Sequence, residues 1–172
     1  MGSSRRSVVW LGLVVLVAAA CSSDSPDSAS ISFEQSFDGP TQVSLFAATG
    51  EAIDEGLICP GATGTFVGNE DADGNALSEA ENAALYNGSE RFVAVTVEEM
   101  TCDDGSGDFV FRVFTEIDPT DPDYAPENAE WTITGVTGYA STEGEGETSL
   151  PEIRDDGLFV WTGSGTINRQ TD

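Results

Sequence analysis

The chemistry open to this 172-residue chain rests on carboxylates and three cysteines. Its 31 Asp and Glu residues stand against six arginines, with no lysine and no histidine. Without histidine, no Ser-His-Asp or Cys-His nucleophile can be assembled. Without lysine, neither a Schiff base nor a phosphate-cradling glycine loop with its lysine is available. A carboxylate pair could hydrolyse a glycoside, yet no spacing singles one out, so no catalytic residue is assigned. The sharpest constellation is Asn69-Glu70-Asp71-Ala72-Asp73-Gly74-Asn75. Asn69, Asp71, Asp73 and Asn75 set oxygen ligands at alternate positions, with Gly74 sixth, as in the first half of a calcium loop. The twelfth position falls on Ala80, and the acids Glu79 and Glu81 flank it. The closing bidentate ligand is therefore off register. A solvated acidic loop is preferred to a weak calcium site, and calcium is the one cofactor the pattern raises.

The cysteines divide by position. Arg5 and Arg6 form a basic head, an apolar run spans Val8 to Val17, and Ala18, Ala19 and Ala20 precede Cys21. This is the layout of a secretory signal peptide, and the apolar run is short for a membrane span. Leu16-Val17-Ala18-Ala19-Ala20-Cys21 resembles a bacterial lipobox, with Ala18 where Leu is usual. The resemblance implies lipidation at Cys21 and an anchor on the outer side of a membrane; plain secretion is the alternative. Ser4-Arg5-Arg6-Ser7-Val8-Val9 partly resembles a twin-arginine motif, so the general and twin-arginine routes both stay open. Cys59 and Cys102 remain as an even pair in an oxidising setting, and a disulfide between them is expected.

Charge narrows the partners. Past residue 20, four arginines meet 31 acids, a formal charge of −27. Such a chain is expected to avoid nucleic acid, whose phosphates call for Lys and Arg. The acidic surface itself reads first as a means of staying hydrated and apart from its own copies.

The elements that must position these groups read mainly as strands, from period-2 alternation rich in Val, Phe, Thr and Trp. Candidate strands are Ile31 to Phe37, Thr41 to Ala47, a stretch near Leu57 to Val67, Arg91 to Cys102, Phe109 to Ile117, Trp131 to Val136 and Leu158 to Ile167. A short piece at Tyr139 to Thr142 is a further candidate. In the fourth strand Val93, Val95 and Val97 oppose Phe92, Ala94 and Thr96. In the next, Phe109, Phe111, Val113 and Ile117 oppose Val110, Arg112, Phe114 and Glu116. The alternation leaves open whether Arg112 faces inward or outward. Asp104-Gly105-Ser106-Gly107 predicts a hairpin connection. Ser78-Glu79-Ala80-Glu81 predicts a capping box opening one short helix that ends near Leu85 or Tyr86. Most of the aromatics, Phe92, Phe109, Phe111, Phe114, Trp131, Phe159 and Trp161 among them, are expected in the core.

Three segments carry a family resemblance. Thr101-Cys102-Asp103-Asp104-Gly105-Ser106-Gly107-Asp108-Phe109, Trp131-Thr132-Ile133-Thr134-Gly135-Val136-Thr137-Gly138-Tyr139 and Trp161-Thr162-Gly163-Ser164-Gly165-Thr166-Ile167 resemble stretches of secreted bacterial proteins of the allene oxide cyclase and dirigent type. Cys59-Pro60 with Cys102 is similar to that superfamily's paired cysteines. The second segment carries one extra residue in its Gly-Thr-Gly piece. The resemblance spans Leu57 to Ile167 and implies an antiparallel barrel; no catalytic position of the plant enzymes matches, so none is carried over.

The expected architecture is all-β: residues 1–20 a signal peptide, 21–30 a tether behind the lipid, and 31–172 one antiparallel β-barrel of about eight strands with one short helix. A β-sandwich is the alternative. The expected function is a non-catalytic surface domain that binds a small apolar ligand in the barrel, a glycan or a protein. A cyclase-type enzyme on a hydrophobic substrate and a structural acidic coat are the alternatives.

Overall fold

The computed structural model describes residues 27–121, 124 and 126–170. Nine strands and two short helices follow in chain order. They are β1 (Ser28–Asp38), β2 (Val43–Thr49), α1 (Glu51–Asp54), β3 (Gly61–Glu70), α2 (Glu79–Tyr86), β4 (Phe92–Cys102), β5 (Asp108–Ile117), β6 (Ala129–Gly135), β7 (Thr142–Thr148), β8 (Glu152–Ile153) and β9 (Phe159–Arg169). Every pairing is antiparallel, and neighbours in sequence are neighbours in space from β1 to β7. β9 pairs with β7 on one side and with β1 on the other, from Ser28↔Asn168 to Phe37↔Phe159. That ladder closes an eight-stranded barrel and excludes the sandwich. The two-residue β8 pairs with the start of β9 as an extra strand.

Alternation along each strand fills the interior. Ile31, Phe33, Phe46, Met100, Phe109, Phe111, Trp131, Ile133 and Ile167 are all buried in one cluster. Phe33 is its hub, 5.1 Å from the Phe46 ring and edge-on to Phe111 and Trp131 at 5.4 and 5.3 Å. Full burial of one such ring contributes about 2–3 kcal/mol. Trp131 is the largest of these side chains, and glycines make its room: Gly146 and Gly165 pair across β7 and β9 beside it. A Cβ on Gly165 would stand 2.6 Å from the indole and collide with the Glu145 carbonyl. The indole Nε1 donates to the backbone oxygens of Glu147 and Ser164, at 3.1 and 3.2 Å.

The two ends of the barrel differ. At one end, Ala52 of α1 and the following Leu57, Ile58 and Cys59 pack into the core cluster. There Cys59 and Cys102 form a disulfide with Cα atoms 6.0 Å apart, as expected of the even pair left after Cys21. The other end, where β1, β3 and β4 carry Phe37, Phe66 and Thr96 and β9 begins, is open.

Several expectations are corrected. Among the described residues there are two helices rather than one; α1 holds only four residues behind Gly50, at φ 117°. The third strand is Gly61–Glu70, because Leu57 to Cys59 plug the barrel instead of extending a ladder. Tyr139 to Thr142 is mostly turn, with the seventh strand running Thr142–Thr148. Ser28 to Ser30, placed in the tether, belong to β1, where Ala29 is buried. Phe114 lies opposite Val95 on the outer face, outside the core cluster. The capping box at Ser78 and Glu81 and the hairpin turn at Gly105, φ 74°, form as expected.

Candidate functional site

The open end of the barrel holds a cavity of about 360 Å³, lined by Phe37, Gln42, Phe66, Thr96, Glu98, Phe159 and Trp161. Strand phase puts every wall residue there except Gln42, which lies in the turn between β1 and β2 at φ 58°. On β4, Phe92, Ala94, Thr96, Glu98, Met100 and Cys102 share the inner face, since Thr96, Glu98 and Met100 lie opposite Val113, Phe111 and Phe109. The same phase brings Phe37 in from β1, opposite Phe159 of β9, and Phe66 in from β3, opposite Glu98. Phe37 lies 6.4 Å from both the Phe66 and the Phe159 rings. The wall is therefore aromatic, with Glu98 the one charged side chain along it.

Glu98 is 3 % exposed. Gln35 donates to it through Nε2, and Gln35 is itself buried. The other Gln35 amide atom, Oε1, and the buried Ser44 hydroxyl have no hydrogen-bond partner. Burial pushes the Glu98 carboxyl up to about 7, and the nearby Ser44 hydroxyl offsets part of that push without reaching hydrogen-bond geometry. A buried carboxyl with no cation beside it favours its neutral form. Among the described residues three arginines pair elsewhere, Arg91 with Glu116 and Asp118, Arg112 with Glu70 and Arg154 with Glu34, each within 3.4 Å, and the fourth, Arg169, is exposed at the end of β9. Arg112 thus faces outward, which settles the question its alternation left open.

Such a site can do two things. It can hold an apolar body between rings, and it can exchange a proton with, or pair with, whatever reaches Glu98. Apolar walls with few polar groups are the usual make-up of small-molecule pockets.

The residues singled out by sequence lie apart from this cavity. Cys21 is outside the described residues. Cys59 and Cys102 lock the closed end. In the acidic loop, the Asp71 carboxylate accepts from the backbone N–H of Asp73 at 2.9 Å and of Asn75 at 2.8 Å, and from the Asn75 amide. These bonds hold it below the usual carboxylate range. Asn69 lies within β3, opposite Thr96 of β4, and Glu81 is taken up by the capping box at Ser78. Among the described residues no group of three or more His, Cys, Asp or Glu is placed to hold a metal ion. Asp71 serves as the hub of its own turn.

Glu98, Gln35 and Ser44 carry no sequence motif. One signal was available: the phase of Phe92, Ala94 and Thr96, continued by two residues, lands on Glu98. No family model, no curated protein and no solved structure matches this chain.

Proposed function

We propose that this protein is an exported surface domain, held by a lipid on Cys21, that binds a small apolar ligand in the open end of its barrel. The observation that carries this reading is the aromatic cavity of about 360 Å³ with a buried carboxyl in its wall. A packed barrel needs neither an open apolar end nor a buried acid with no cation beside it, and both cost stability unless a ligand uses them. The signal-like head, the tether and the disulfide fit an oxidising, extracytoplasmic setting. The eight antiparallel strands agree with kinship to the allene oxide cyclase and dirigent-type barrels. A second reading, a cyclase-type enzyme, draws on Glu98: a carboxyl near 7 is matched to general acid–base work at neutral pH.

The test is mass spectrometry of small molecules that co-purify with the native protein. An apolar compound should be retained by the wild type and lost on Trp161→Ala with Phe37→Ala. Equal recovery from both would sink the cavity reading. Cys21→Ser should release the chain from the membrane fraction or block its processing; unchanged retention and processing would overturn lipidation at Cys21 as the anchor.

A further inference from the structure

We infer that the cavity selects a protonated organic amine with an apolar body, Glu98 being the group that recognises the ammonium. This rests on the reading of the open end as a ligand site and names the ligand class. Three observations carry it. The first is the acceptor set: the Glu98 carboxylate lines the cavity, and Gln35, bonded to it through Nε2, keeps a buried Oε1 with no donor. Oxygen acceptors without donors are what an N–H-bearing cation satisfies, and leaving them unpaired costs free energy. The second is the wall: Phe37, Phe66, Phe159 and Trp161 surround the cavity. Aromatic faces attract cations, Trp most strongly. The third is the absence of an internal cation. The elements packed around Glu98 present Gln35 from β1, Ser44 from β2, Phe66 from β3, Phe111 from β5 and Trp161 from β9. None of these carries a charge or titrates in the neutral range, so the countercharge must come from the ligand.

A neutral apolar ligand would fill the same walls and leave the acceptors unmet. An anion would meet Glu98 and the field of a chain with formal charge −25. That field instead concentrates cations at the mouth.

The experiment compares benzylammonium, which keeps its N–H protons between pH 6 and pH 8, with its neutral isostere ethylbenzene. Both are titrated calorimetrically into the full chain at high salt, which screens the surface carboxylates. At pH 8 the cation should bind at least about tenfold tighter than the isostere, on the scale of a desolvated cation–π contact and one ion pair. Burial holds Glu98 near 7, so the cation's affinity should fall about tenfold from pH 8 to pH 6 while the isostere's does not fall. The pH series in the unaltered chain is a test that needs no variant. Glu98→Gln should lower the cation's affinity at pH 8 about tenfold, abolish its pH dependence and spare the isostere. Equal affinity of the two probes with no pH dependence, or a cation affinity untouched by Glu98→Gln, overturns the amine inference and leaves the apolar cavity standing. Failure of both probes to bind overturns the cavity reading along with it.

Discussion

Glu98 makes the stability of the empty barrel depend on pH in an unusual direction. Its carboxyl moves from an ordinary value of 4.5 to about 7 on folding, chiefly through burial. Keeping it charged in the folded state therefore costs about 3 kcal/mol. A raised folded value means that the native state holds the proton more tightly than the unfolded chain. The contribution is fully present below the unfolded value and is lost as pH rises through 7. Glu98→Gln removes the titration and keeps the shape and the bond partner of Gln35. The gap in unfolding free energy between variant and wild type should therefore open in the variant's favour by about 3 kcal/mol between pH 4 and pH 8.5. Urea denaturation of both proteins across that range measures it. Asp71, Glu81, Asp104 and Asp118 are shifted downward by their hydrogen bonds. Their contribution is present above the ordinary carboxylate range and is lost as pH falls. They are common to both proteins and cancel in the difference. A gap constant to within about 0.5 kcal/mol across the range would refute the claim that Glu98 is buried without a countercharge.

Two further outcomes follow from the packing. Replacing Cys59 and Cys102 together by Ala should lower stability by about 4 kcal/mol through the unfolded chain, since the bond spans a sequence separation of 43. In a thermal melt this is a drop of about 12 °C; a change under about 3 °C would mean that the closed end holds without it. Gly165→Ala should cost about 3 kcal/mol, because the new methyl collides with the Glu145 carbonyl and crowds Trp131. Its urea midpoint, and the near-ultraviolet signal of the indole, report this. A midpoint unchanged from wild type would show that β7 and β9 can part to admit a side chain.

Strand alternation made most of the barrel legible, and the exceptions have physical causes. β4 and β5 read plainly, because Val, Phe and Thr alternate on both faces. β7 did not: its inner positions are Thr142, Gly144, Gly146 and Thr148, and its outer ones are glutamates. The strand has no apolar residue, since the volume it would supply is filled by Trp131 from β6. Leu57 and Ile58 looked like strand because both are apolar, and they are buried end-on as a plug. The site was hidden for the opposite reason. A glutamate next to Glu99 in a highly acidic chain reads as surface, and only the register through Met100 and Cys102 turns it inward. The acidic loop drew notice through its spacing, yet that spacing serves a turn.

The seam between β1 and β9 also orders events in time. It joins Ser28 to Asn168, 140 residues apart, so the barrel cannot close until nearly the whole chain has been delivered. Hairpins such as β4–β5 need only local closure and can form early, whereas the last ladder carries the largest loop entropy. Until it forms, the sheet has two free edges, each a template for pairing with another chain. A formal charge of −25 keeps such half-built copies apart by mutual repulsion. The acidity then guards the chain on its way to the native state, a task that closure takes over once the seam is made.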